Sequence, residues 1–255
     1  MPAIWLSRPE PRPAADLRLF CFPWSGAGAS AYSALAAALP GNIEVVAIQL
    51  PGRGSRAAEP PVEDLEDVAR VVTRSLEREL RARDGRFAVF GHSYGSLLGY
   101  EVVRRLAGHR WFPELLVLSG SRSPASMPPI HLHRLADADL TRELALFGGV
   151  SRKRLADEEF LARFLPLVRA DLTACERYHA PDRPSVLSPV SVWAGEGDGY
   201  ATPAAVARWG LCAAGEFRMR TFPGGHFFVS DTERIAAALL ADLEWACAES
   251  ALLAS

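Results

Sequence analysis

The chain has 255 residues, 49% hydrophobic and 23% charged, a composition that excludes disorder, collagen and coiled coil. A globule of this length buries roughly 70–75% of its unfolded surface, enough for a core without metal or disulfide staples. The formal net charge of −2 at pH 7 lacks the basic excess of a nucleic-acid binder. Lys153 is the only lysine, so Schiff-base or pyridoxal chemistry would rest on one residue in the run Arg152-Lys153-Arg154, and no Gly-Lys-Ser/Thr phosphate loop exists.

The amino terminus, MPAIWLSRPEPRP, lacks the apolar stretch of a signal peptide, and no run approaches the ~18 apolar residues of a membrane helix. Cys21, Cys175, Cys212 and Cys247 are scattered, which fits a reducing compartment, with Cys21 expected as a buried free thiol. A soluble, cytoplasmic protein is expected. Short, nearly all-apolar runs predict strands at Leu17–Phe22, Ile43–Gln49, Phe87–Phe90, Leu115–Ser119, Val190–Ala194 and Phe217–Phe222. They alternate with helical patterns at Ala31–Leu39, Leu65–Leu80, Ser96–Ala107 and about Asp231 to Ala248, the last behind a capping box, Ser230-x-x-Glu233. The alternation predicts a parallel α/β architecture.

It breaks between Ser121 and Ala180. Pro124, Pro128 and Pro129 precede two helical patterns, Asp139–Phe147, stopped by Gly148-Gly149, and Asp157–His179, expected to kink or restart at Pro166. An insertion after a strand of a parallel sheet lies over the strand ends, where such sheets bind ligands. A single domain over residues 1–255 with a lid over about 121–180 is expected.

Gly91-His92-Ser93-Tyr94-Gly95 follows a predicted strand and precedes a helix, the context of a G-x-S-x-G nucleophile elbow. The turn is too tight for side chains two residues either side of Ser93. A serine hydroxyl needs a base, and the base an orienting acid, in the chain order Ser, Asp or Glu, His. His226, in the glycine-rich run Phe222–Phe228 just past the last strand, is the candidate base. The strand before it ends in Gly195-Glu196-Gly197-Asp198-Gly199; flanking glycines favour Asp198 as the acid, leaving Glu196 a solvated charge. Backbone amides of Tyr94 and of Ser25 or Trp24 would form the oxyanion hole, and Trp24 and Phe227 would contact substrate. His131-x-His133 has the spacing of metal ligands but no third ligand nearby, so no metal is expected. Gly26-Ala27-Gly28-Ala29-Ser30-Ala31 matches a dinucleotide fingerprint, but the acid required at the end of the next strand is missing; Arg53 could be argued to accept a 2′-phosphate, yet Pro23-Trp24 separates the strand from the glycines. An NAD(P)-binding protein is therefore the remote alternative, and no cofactor is expected.

With these residues assembled, the chain resembles the stand-alone type II thioesterases of polyketide and nonribosomal peptide synthesis. The resemblance rests on FPWSGAG at 22–28, QLPGRGSR at 49–56, GHSYGSLLGYE at 91–101, RADLTACERY at 169–178, GEGDGYATPAAVARW at 195–209 and FPGGHFF at 222–228. Trp24 and Tyr94 are bulkier than is common in that family, and Gly199-Tyr200 replaces a frequent Pro, departures that bear on acyl-chain preference. The resemblance implies an α/β-hydrolase with a helical lid that hydrolyses acyl groups from phosphopantetheine arms of carrier proteins, clearing stalled or misprimed units. The chain starts and stops with the fold and lacks a phosphopantetheine-attachment serine, so the acyl or peptidyl carrier protein is expected in trans. Carriers in such systems are acidic; Arg152-Lys153-Arg154 is the densest basic run to attract them, with Arg53 and Arg56 expected near the site mouth. A generic carboxylesterase or acyl-CoA hydrolase would share the triad, and an interaction module on an inactive hydrolase fold is disfavoured by the presence of all three residue types.

Overall fold

All six apolar runs form strands, and they lie side by side because a strand apolar on both faces is stable only in a sheet covered by helices on both sides. The computed structural model describes residues 5–83, 85–124, 131–180 and 185–253. In chain order the elements are β1 (Leu6–Ser7), β2 (Leu17–Phe22), α1 (Ser33–Ala38), β3 (Ile43–Ile48), α2 (Leu65–Ala82), β4 (Arg86–His92) and α3 (Tyr94–Ala107). There follow β5 (Leu116–Ser119), α4 (Asp137–Phe147), α5 (Arg152–Leu155), α6 (Glu158–Arg177), β6 (Val190–Gly195), α7 (Pro203–Ala207), β7 (Phe217–Phe222) and α8 (Thr232–Leu253). The strands make one 7-stranded sheet in the order β1-β3-β2-β4-β5-β6-β7, parallel except for the antiparallel edge pair β1–β3.

Side chains alternate between the two faces. Along β2, Leu17, Leu19 and Cys21 pack with α1 and α8, whereas Phe20 and Phe22 pack with α2 and α3. Leu65, Val68, Ala69, Val72, Leu76 and Leu80 recur at helical spacing along α2 and are all buried. Its first turn is closed by Asp64, which accepts from the Asp67 amide at 2.9 Å. Because β2 is flanked by β3 on one side and β4 on the other, the loops leaving their carboxyl ends diverge. Parallel sheets bind ligands in the crevice at such a reversal. Helices α4, α5 and α6, inserted between β5 and β6, border it with a small apolar cluster of their own around Leu140, Leu165 and Val168.

Several expectations need correction. β1 is too short to leave a periodic pattern; the free edge of β3 creates it by pairing Leu6 with Ile48 and Ser7 with Ala47. The first helical pattern begins as a 3-10 turn over Ala29–Tyr32 before α1. α6 is continuous through Pro166 and neither stops nor restarts there. Burial of Leu165, Val168 and Leu172 on both sides of the proline offsets the one hydrogen bond it removes. α8 is capped by Asp231, which accepts from the Arg234 amide at 3.2 Å, and not by Ser230, which belongs to a preceding 3-10 turn. Arg152-Lys153-Arg154 is itself helical, as α5, with Ser151 as its cap. Pro128 and Pro129 lie outside the described residues. Cys21 is buried and unpaired as expected, and no described helix is long and apolar enough to cross a membrane.

Candidate active site

Ser93 stands between the end of β4 and the start of α3 with φ 55° and ψ −118°, a left-handed conformation unusual for a residue with a side chain. The surroundings impose it. A Cβ on Gly91 would lie 2.2 Å from the Gly95 carbonyl oxygen, and one on Gly95 would lie 2.0 Å from that of Phe22, so β4, α3 and β2 meet backbone to backbone. Ser96 Oγ bonds the Gly91 and Ser119 carbonyls at 2.8 Å each, and the Ser93 amide donates to Ser119 at 2.8 Å. The result holds Ser93 on the wall of the crevice, at the amino end of α3.

The loops after β6 and β7 are fitted to each other in the same way. A Cβ on Gly195 would lie 2.4 Å from the Gly225 carbonyl oxygen, and the Gly197 amide donates to Gly224 at 2.8 Å. This contact brings His226 Nδ1 to 2.7 Å from Asp198 Oδ2. The other carboxylate oxygen accepts the Tyr200 and Ala201 amides, each at 2.9 Å. Burial opposes ionisation of Asp198, but the hydrogen bond and charge of His226 and these two amides outweigh it and hold its pKa below the usual carboxylate value. An ionised carboxylate only accepts, so the neutral imidazole carries its proton on Nδ1 and keeps a lone pair on Nε2. Glu196 is exposed.

Ser93 and His226 open on one cavity of about 430 Å³. Tyr94, Trp24, Ser25 and Phe227 line it too, the Trp24 and Phe227 rings meeting edge to face at 5.6 Å. In the loop after β2 the Gly26 amide is taken by Asp171 at 2.7 Å and the Ala27 amide by the Trp24 carbonyl at 3.0 Å, whereas that of Ser25 bonds no described residue. The opposite wall comes from the inserted helices, through Leu144, Phe147, Phe160, Phe164, Val168 and Leu172, which no local motif had singled out for that role. Phe147 stacks obliquely on His226 at 5.4 Å and meets Tyr200 at 5.1 Å; burial pushes the Tyr200 hydroxyl up to about 12. Gly149, predicted as a helix stop, also makes room for Phe227, whose ring would lie 2.5 Å from a Cβ there.

Three expectations about charge and metal change. Arg53 is not at the site mouth and not free for a 2′-phosphate: it is buried against Asp171. Arg56 is buried as well, bonded to Glu59 and the Gln49 carbonyl and stacked 3.9 Å over Trp5. His131 and His133 do have a third neighbour, Glu176, reached across 43 residues by the folding of α6 onto the preceding segment. That carboxylate is already committed to His133 Nδ1 and to the Leu132 amide at 2.9 Å.

The Thioesterase domain family matches residues 17–243. The chain is 35% identical over 230 residues to the thioesterase PikA5 of Streptomyces venezuelae, covering 89% of this chain and 81% of that one. Its fold superimposes on the RedJ thioesterase from the prodiginine biosynthetic pathway of Streptomyces coelicolor with TM-score 0.84 and 37% identity, over 90% and 91% of the two chains. It superimposes on the type II thioesterase BorB from the borrelidin biosynthetic cluster with TM-score 0.85 and 31% identity, over 94% and 97%. The sheet with its inserted helices is thus of the α/β-hydrolase kind. The chain belongs to the thioesterase family, among the type II thioesterases of polyketide and nonribosomal peptide biosynthesis, and its chemistry is thioester hydrolysis.

Proposed function

We propose that Ser93, His226 and Asp198 are the nucleophile, base and orienting acid of this hydrolysis, and that the substrates are acyl groups on phosphopantetheine arms of carrier proteins docking in trans. The observation that carries the reading is the His226–Asp198 bond at 2.7 Å beside a serine on a strained turn facing the same cavity. Ser93 Oγ attacks the acyl carbonyl while His226 Nε2 takes its proton. The tetrahedral oxyanion is met by the Ser25 and Tyr94 amides. The C–S bond breaks, the sulfur leaves with the proton held on His226, and an ester remains on Ser93. A water then gives its proton to His226 and attacks that ester. The C–O bond to Ser93 breaks, Ser93 regains a proton from His226, and the carboxylic acid departs.

The apolar wall from α4 and α6, with Trp24 and Phe227 facing it, suits an acyl chain, and residues 121–180 act as a lid on a single domain. Four unpaired cysteines favour work in the reducing cytoplasm, on misprimed or stalled units. The test is turnover of an acyl carrier substrate by wild type and Ser93→Ala, with a fluorophosphonate probe. Loss of hydrolysis, unchanged folding and probe adduct on Ser93 alone are expected. Labelling elsewhere with Ser93 untouched would remove the triad, and equal kcat/KM for an acyl-CoA or simple ester would remove the carrier.

A further inference from the structure

The long inserted helix sends a carboxylate into the loop that follows β2. Asp171 on α6 and Arg53 after β3 are 2% and 6% exposed. Burying two charges is tolerated only when the geometry is good and the remaining polar atoms are satisfied. Here Asp171 Oδ1 accepts from Arg53 Nη2 at 2.9 Å and Oδ2 from Nη1 at 2.6 Å, and Arg53 Nε donates to the Pro51 carbonyl at 3.1 Å.

Two further bonds give the pair a reach beyond simple cross-linking. Asp171 Oδ2 also accepts the Gly26 amide at 2.7 Å, and Arg53 Nη1 reaches the Ala27 carbonyl at 3.3 Å. The same helix presses on the same glycine: with φ +77°, a Cβ on Gly26 would lie 2.5 Å from Phe164 Cε2 and 2.7 Å from Val168 Cγ2. Asp171 and Arg53 thus hold the Gly26 amide and the Ala27 carbonyl, and the Ala27 amide in turn holds the Trp24 carbonyl at 3.0 Å; because a peptide group is planar, that last bond sets the direction of the Ser25 N–H. Gly26 is spent on Asp171, and Ser25 is left as the donor.

We propose that Asp171 and Arg53 are positioning residues that aim the Ser25 amide at the oxyanion, so that the donor pair is complete only while α6 is seated on the loop after β2. The proposal rests on the serine mechanism above. Losing one oxyanion donor costs ~10²–10³ in kcat, so misplacing it through Asp171→Ala is expected to cost about 10- to 100-fold in kcat with little change in KM. Rates are taken per active site titrated with fluorophosphonate, so a misfolded fraction does not register. A trifluoromethyl ketone, whose adduct carries the oxyanion, should lose affinity in step with kcat, and Asp171→Glu should recover part of both. If the single variant does not fold, Arg53→Gln/Asp171→Asn, which leaves no lone buried charge, is measured by the same criteria. Unchanged kcat per titrated site, or ketone affinity falling no further than KM rises, would overturn the proposal. Wild-type protein unlabelled at Ser93 would instead overturn the mechanism beneath it.

Discussion

His92, immediately before the nucleophile, ties stability to pH. It is completely buried, its Nδ1 3.0 Å from Ser119 Oγ and its Nε2 without a hydrogen-bonding partner among the described residues. The rings of Trp24, Phe227 and Phe228 surround it at 5.6–5.8 Å, with His226 at 5.1 Å. Gly120 packs so closely that a Cβ there would lie 2.4 Å from His92 Cε1. A second proton would place an N–H with no acceptor in this pocket, so burial, with His226 beside it, holds the His92 pKa well below the ordinary value. The unfolded chain takes up that proton at ~6.5. Below this the unfolded state binds one proton more than the folded state, and stability falls by about 1.4 kcal/mol per pH unit until the depressed folded pKa is reached; above ~6.5 the contribution is constant. At about 2–4 °C per kcal/mol for a chain of this size, that is roughly 3–6 °C of Tm per pH unit. The assay compares Tm of wild type and His92→Gln between about pH 7.5 and 5.5, where the difference in slope isolates His92 from the other histidines. Parallel slopes would refute the reasoning. In the proposed mechanism a neutral His92 also spares the His226 imidazolium a second cation at its side.

Asp198→Asn is expected to cost up to ~10⁴-fold in kcat, since an amide N–H facing Nδ1 forces the wrong tautomer, whereas exposed Glu196→Gln should change little; equal losses in steady-state assays would reject Asp198 as the acid. The exposed run Arg152-Lys153-Arg154, with Arg154 on the cavity wall, is expected to steer acidic carriers. Added salt, or replacing all three residues with Ser, should then lower kcat/KM for a carrier substrate and leave a small neutral thioester unaffected, and an unchanged carrier rate in the triple variant would exclude the run from docking.

Local patterns were enough for six of the seven strands and most helices, and they singled out Ser93, Asp198 and His226 as candidates, because each of these readings depends on short-range constraints. Apolar runs had to become covered strands, and Gly91, Gly95 and Gly195 marked turns where a side chain would collide with backbone. The sequence could not say that Arg53 would be buried rather than free, since its partner Asp171 lies 118 residues away and a buried charge looks the same in sequence as a solvated one. Glu176 beside His133 and the apolar wall contributed by Phe147 and Phe164 were hidden for the same reason. The continuity of α6 through Pro166 was likewise settled by packing on both sides of the proline. Local geometry is written in neighbouring residues; which charges find partners and which faces form a cavity depends on how inserted helices settle on the sheet, and only the folded chain decides that.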